Sequence, residues 1–397
     1  MLSRSIKFGP VRAATVGAFA ALQLFAATAE AQEKTPIRVG VMLPFTGPAA
    51  ATGQEKFQGI ELAVAETGFS IGGHKIELLR SDDQNNPNVA LTEARRLVEN
   101  ENVSAILGNL SSAVSIAINP YTARHEIPFV TSGIAIELTG SKKSPFTFRS
   151  SFASGQVERP LAYYLYTRGY RNGILMGSDY SAGHDAVTTL GSGFKQLGGT
   201  VLQEIFPRAG ETDYGPFLSR VAGSGADFVF GYFFGGDPLR FVRQYQDFNV
   251  GYPLVITTSA ISAGGVPDAL AKSIVGIESA EVYMWTLQTP ANLDFVKAYQ
   301  ERYKTMPSTL SYDGYMAGRV LVAGAQAVDG NVADRTALAQ AMHKVVIDGP
   351  AGKFRYDEHN NPIINLYITR WEDKDDKIVP SIVREFHDVG LDWTPPK

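Results

Sequence analysis

Short apolar segments recur along this chain with helix-length gaps between them, and that beat restricts the fold more than any other feature. β-Rich runs begin at Ile37 (IRVGVML), Ile76 (IELLRS), Val103 (VSAILG) and Pro128 (PFVTS), 25 to 39 residues apart. A second set begins at Asn172 (NGILMG), Thr200 (TVLQEIF), Ala226 (ADFVFGYF) and Pro253 (PLVITT), 26 to 28 residues apart. The gaps hold segments such as 89–100 (VALTEARRLVEN) and 186–197 (AVTTLGSGFKQL). In the first of these, Val89, Ala90, Ala94, Leu97 and Val98 share one face at helical spacing. Strand–helix alternation at this period predicts parallel sheets, because a parallel neighbour is reached only by a crossover, and crossovers are right-handed. Two such runs predict an α/β protein with two doubly wound lobes.

The remaining segments say how the lobes are joined. The stretch 144–151 (SPFTFRSS) separates the two runs, and 282–285 (VYMW) follows the second. Helices are predicted over 292–303 and 312–328, a further crossing near 349–354 (GPAGKF), and strands around 364–371 and 378–384. The charged tract 372–377 (EDKDDK) reads as a solvated turn between those strands. No low-complexity tether interrupts the chain. The expected division is residues 36–149 plus 285–350 in one lobe and 150–284 plus 351–397 in the other.

The first 31 residues read as an address. Arg4, Lys7 and Arg12 precede an apolar, Ala-rich stretch over 13–27, and Ala29 and Ala31 supply an A-x-A end. That is the pattern of a secretory signal peptide cut after Ala31. The apolar stretch is too short for a comfortable membrane span. The mature chain is expected to be exported and periplasmic. With no cysteine anywhere, disulfides, thiolate-held metals and cysteine nucleophiles are excluded. A formal net charge of −4 offers no basic stripe for nucleic acid.

Enzyme and nucleotide signatures are missing. There is no phosphate-binding loop, no dinucleotide fingerprint after the first strand, no G-x-S-x-G elbow and no H-E-x-x-H among the six scattered histidines. Ser192 and Lys195 match S-x-x-K without its companion motifs and read as chance. Asp82 and Asp83 are adjacent acids after a strand, better suited to a loop than to a metal. No catalytic group, metal or cofactor is expected.

What remains are strand-end loops rich in small and hydroxyl residues: 44–53 (PFTGPAAATG), 108–112 (GNLSS) and 131–133 (TSG). In open α/β sheets, ligands bind at the carboxyl ends of the strands. Ser111 and Ser112 at a helix start offer hydroxyls and free N–H groups that suit an anion, although one Ser-Ser pair alone would read as a helix cap. Three such loops on one edge make a carboxylate site credible.

At these loops the chain resembles the type I periplasmic solute-binding proteins of the branched-chain amino acid (leucine/isoleucine/valine-binding) family. The resembling residues run in order through 37–48 (IRVGVMLPFTGP), 60–64 (IELAV), 72–78 (GGHKIEL), 82–84 (DDQ), 90–98 (ALTEARRLV), 108–112, 146–149 (FTFR), 227–229 (DFV), Tyr312-Asp313 and 349–352 (GPAG). The resemblance implies two Rossmann-like lobes joined by three hinge crossings, with the ligand trapped between them and handed to an inner-membrane ABC permease by a monomer. By position, it implies that Thr52, Ser111, Ser112, Ser132 and Gly133 line the first lobe's side. Backbone groups of Ser111 and Ser132 and the Ser112 hydroxyl would hold a ligand carboxylate. Tyr180, Phe234 and Thr258 would come from the second lobe.

The chain departs from the family's amino-acid binders at three points. Ile134 stands where they have Thr, Ala182 where they have Tyr, and 256–259 (ITTS) lacks the acid that holds the ligand's ammonium. A buried ammonium without an anion costs several kcal/mol, although Asp237 and Asp268 are acids near enough in sequence to substitute. The favoured expectation is a carboxylate ligand without an α-ammonium, an aromatic one if Phe234 stacks on it. A Leu/Ile/Val-type amino acid stays open. So does a ligand-sensing receptor domain without transport, and a secreted α/β enzyme stands further back.

Overall fold

A computed structural model describes residues 34–233, 236–257 and 269–396, with Met1, Leu2, Ser5, Ile6, Lys7 and Gly9. The expected cleavage point after Ala31, Phe234, Thr258 and Asp268 lie outside the described residues.

The first beat builds one sheet. Its strands are β1 (Ile37–Leu43), β2 (Ser70–Ile71), β3 (His74–Asp82), β4 (Ala105–Gly108), β5 (Phe129–Thr131) and β6 (Thr147–Arg149), in the order β2-β3-β1-β4-β5-β6. All pairs are parallel except the short β2–β3 hairpin. Helices Ala50–Ala65, Pro87–Arg95 and Ser112–Arg124 make the crossovers. The stretch 144–151, expected only to separate the runs, contributes β6 as a fifth parallel strand.

The second beat repeats the plan in β7 (Asn172–Gly177), β8 (Thr200–Ile205), β9 (Phe228–Tyr232), β10 (Leu254–Thr257) and β11 (Glu278–Glu281), which pair in parallel in the order β8-β7-β9-β10-β11. Four further strands, β12 (Val346–Gly349), β13 (Gly352–Tyr356), β14 (Pro362–Lys374) and β15 (Lys377–Val389), extend this sheet antiparallel past β11. β14 and β15 run further than expected. Only Asp375 and Asp376 form the turn, both at positive φ, which suits a tight hairpin.

After β11 the chain returns to the first sheet. Helix Thr309–Ala327 lies along helix Ala50–Ala65, and the approach is so close that a side chain at Gly59 would collide with the Ser311 carbonyl, and one at Gly314 with the Lys56 carbonyl. Helix Pro290–Tyr303 adds hydroxyl contacts, Tyr299 donating to Gln58 and Tyr303 to the Gln58 carbonyl and Glu61. The chain therefore passes between the sheets three times: after β6, after β11 and again before β12.

Candidate functional site

Each parallel sheet has one point where its strand order reverses, between β1 and β4 in the first and between β7 and β9 in the second. Loops leave in opposite directions there and open a crevice at the carboxyl edge. The loops singled out in the sequence arise at these edges. Ser154, in the first crossing, touches both: its N–H donates to the Ile134 carbonyl (2.8 Å), and its hydroxyl bonds Asp185 in the helix that follows β7.

In the first sheet the backbone donors can be assigned one by one. Thr131 Oγ1 accepts the Gly133 N–H (2.9 Å), and Ser112 Oγ accepts those of Ile134 (3.0 Å) and Ala135 (3.2 Å). The Ser132 N–H has no protein acceptor among the described bonds. Ser111 caps helix Ser112–Arg124, its Oγ accepting the Ala113 N–H (3.2 Å). Ser112 is the first residue inside that helix, and its own N–H has no helical acceptor. With both hydroxyl lone pairs occupied, Ser112 has its proton left to donate. Two N–H groups, a hydroxyl proton and a helix N-terminus are thus left over on this sheet's carboxyl edge, a donor set that suits a ligand carboxylate. Gly133 is required by contact, since a side chain there would collide with Ser115. Its N–H is spent on Thr131, so it serves as backbone shape rather than as a donor. Thr52 donates to the Ala49 carbonyl (2.7 Å) and keeps its lone pairs. Ile134 is half-buried and apolar.

Behind this loop lie charges that sequence reasoning did not assign. Lys56 is fully buried, 3.0 Å from Asp313 and 3.2 Å from the Asn109 carbonyl. Asp313 also accepts the hydroxyls of Ser132 and Ser150. Arg149 is fully buried and donates to the Gly133 and Ala135 carbonyls, to Thr139 (3.1 Å) and to Asn361 (3.1 Å). Desolvation pulls the guanidinium down to about 10, and Asp357 works against that shift. Lys56 stands among the polar residues Gln54, Glu55 and Gln58, so nothing local marked it as buried.

On the second sheet's edge, Tyr180 precedes helix Ser181–Gln196, and Tyr232 ends β9. Their rings lie 6.4 Å apart, and their hydroxyls share a hydrogen bond. Asp237 is occupied elsewhere, pairing with Arg240 and accepting the Gly210 N–H (2.9 Å). Glu281 is a buried acid at the last position of β11, where the sequence offered no reason to look.

Glu158 opens the helix after the first crossing and is buried, its Oε2 accepting the Gly155 N–H (2.9 Å). Desolvation pushes its carboxyl up to about 7, and Asp83, in the loop just after β3, is raised to about 6 for the same reason. Native protein then holds protons that the unfolded chain releases, so stability from these groups is full below the ordinary carboxylate range and is lost as pH rises through 6 to 7. The thermal midpoint is expected to fall between pH 5 and pH 8. Glu158→Gln should flatten that fall by up to about 3 kcal/mol of unfolding free energy. Equal slopes for the two proteins in a pH series of thermal scans would remove Glu158 from the account.

The profile of the periplasmic binding protein family matches residues 36–377. The Leu/Ile/Val-binding protein homolog 6 of Brucella suis biovar 1 (strain 1330) is 28% identical over 371 residues, covering 90% of this chain and 93% of its own. An ABC transporter substrate-binding protein from Sphaerobacter thermophilus superposes with a TM-score of 0.86 at 33% identity, covering 89% of this chain and 98% of its own. A solute-binding protein of an ABC transporter from R. palustris, solved in complex with benzoate, gives 0.80 at 29% identity, with coverage of 89% and 98%.

Proposed function

This chain belongs to the periplasmic binding protein family, and we propose that, as an ABC-type substrate-binding protein, it captures a benzoate-type carboxylate between two lobes for an inner-membrane permease. The lobes are taken as residues 36–149 with 285–350 and 150–284 with 351–397. The observation that carries the reading is the donor set left over on the first sheet: the N–H groups of Ser112 and Ser132 and the Ser112 proton. Ser111 contributes its backbone, Thr52 and Ile134 the flanks, and Tyr180 the opposing wall; Phe234 and Thr258 are assigned to the same wall by the family resemblance alone. Ile134 and Ala182 leave apolar space where an amino-acid ligand would want polar partners, and Asp237 is already paired. The relative from R. palustris that carries benzoate supports the same class. Ligand binding that favours the closed arrangement of the three crossings would then bring the lobes together.

A Leu/Ile/Val-type amino acid is the second reading, favoured by Glu281, a buried carboxylate at the second sheet's edge. Calorimetry on the leaderless protein separates the two. Benzoate or 4-hydroxybenzoate is expected to bind with a Kd of about 1 μM or tighter, roughly −8 kcal/mol, and leucine and valine are expected not to bind. Tight leucine binding that is lost in Glu281→Gln, with no benzoate binding, would replace the first reading by the second.

A further inference from the structure

Asp313 makes none of the ligand contacts proposed above, yet both of its carboxylate oxygens are committed. One accepts the Ser132 hydroxyl and the Lys56 ammonium, and the other accepts the Ser150 hydroxyl. Ser132 belongs to the loop that offers its N–H to the ligand. Ser150 is the first residue after β6, where the chain sets out for the second sheet. A carboxylate is a rigid plane, so two hydroxyls bound to its two oxygens are held at a fixed mutual distance. Asp313 cannot follow a moving partner far, because its helix is locked on helix Ala50–Ala65 at Gly59 and Gly314 and its charge is held by Lys56. Arg149 grips the same loop through the Gly133 and Ala135 carbonyls, and the Ser150 N–H reaches the Thr131 carbonyl (3.1 Å). A shift of the first crossing must therefore either carry the loop with it or break charge-assisted bonds, which are the stronger kind.

We propose that Asp313 is a positioning residue that couples the 131–135 loop to the first crossing at Ser150, so that the Ser132 N–H is aligned for a carboxylate only in one arrangement of that crossing. The coupling rests on the reading of this loop as the ligand's seat, and its test has one arm that needs no ligand.

Variants at Asp313 would leave Lys56 buried and unpaired and are liable to unfold, so the informative changes are Ser132→Ala and Ser150→Ala. Amide hydrogen exchange on the ligand-free protein should show Ser132→Ala raising exchange at residues 153–156 about tenfold. Ser150→Ala should raise it to a similar extent at Gly133, Ile134 and Ala135, and the double variant should add little to either, as expected when one hydrogen-bonded hub serves both segments. Exchange rising only in each variant's own segment, or fully additive effects, would overturn the coupling. The second arm titrates benzoate. Ser150→Ala should weaken binding about tenfold, and Ser150→Thr, which keeps the hydroxyl, should restore it. Unchanged affinity in Ser150→Ala would likewise overturn the proposal. If wild-type protein binds neither benzoate nor leucine, the ligand reading fails and the exchange arm alone decides the coupling.

Discussion

Lys56→Met is expected to lower the unfolding free energy by about 3–5 kcal/mol, read as an earlier midpoint in urea at an unchanged slope. The lysine has no access to solvent, and its ammonium lies 3.0 Å from Asp313. Burial lowers its pKa, and Asp313 opposes that shift. Methionine fills much of the same volume, so the loss is electrostatic rather than a cavity. It leaves the Asp313 carboxylate buried with only the hydroxyls of Ser132 and Ser150 as donors. Pairing the change with Asp313→Leu should recover much of the loss, because a buried ion pair replaced as a unit by apolar groups is often close to neutral. Recovery should stay incomplete, since both serines then lose an acceptor. A single-variant cost under about 1 kcal/mol would mean that water reaches this site and screens the pair.

The ion pair also marks the limit of what the sequence could disclose. The doubly wound sheets were legible because β1, β4, β7, β9 and β10 are apolar runs buried on both faces, and the gaps between them have helical length. β11 was not legible. Its residues, Glu278-Ser-Ala-Glu281, look like a loop, and they lie inside the sheet because Arg370 and the Tyr164 hydroxyl (3.0 Å) satisfy Glu278 and because the Ser279 hydroxyl is 2.8 Å from that of Thr369. Partners so far away in sequence leave no local trace. β6 was hidden for a similar reason: three residues, Thr147-Phe-Arg149, whose burial depends on Asn119, Asn361 and the loop carbonyls.

The site divides the same way. The hydroxyl-rich loops stood out, since a residue type needed at a helix start or a tight loop is a local signal. Which hydroxyl does what was not local. Ser111 is a helix cap, Ser132 gives its proton to Asp313, and Ser112 accepts two loop N–H groups while keeping its own proton to donate. The Tyr312-Asp313 and 146–149 segments were noticed as matching residues with no chemistry attached. Their chemistry appears once Asp313 and Arg149 are seen holding opposite sides of one loop.

Arg149→Met is expected to be among the most damaging single changes in the chain, costing about 4 kcal/mol or more. The guanidinium is fully buried and donates to four acceptors: the Gly133 and Ala135 carbonyls, Thr139 and the Asn361 side chain. Each buried acceptor left without a donor costs about 1–3 kcal/mol, and Met supplies none. Thr139 and Asn361 still bond each other (2.6 Å) and the Ala135 carbonyl still accepts the Leu138 N–H (3.2 Å), so the Gly133 carbonyl carries most of the penalty. Arg149→Lys separates charge from geometry. Lysine keeps the charge, but its compact ammonium cannot span acceptors arranged for a planar fork. It should therefore rescue less than half of the loss. The measurement is chemical denaturation of the three proteins under one buffer, with hydrogen exchange at Ile134 and Ala135 as the local readout. Full rescue by lysine would mean that the buried positive charge, and not the fork that ties the 131–135 loop to Asn361, is what the fold requires.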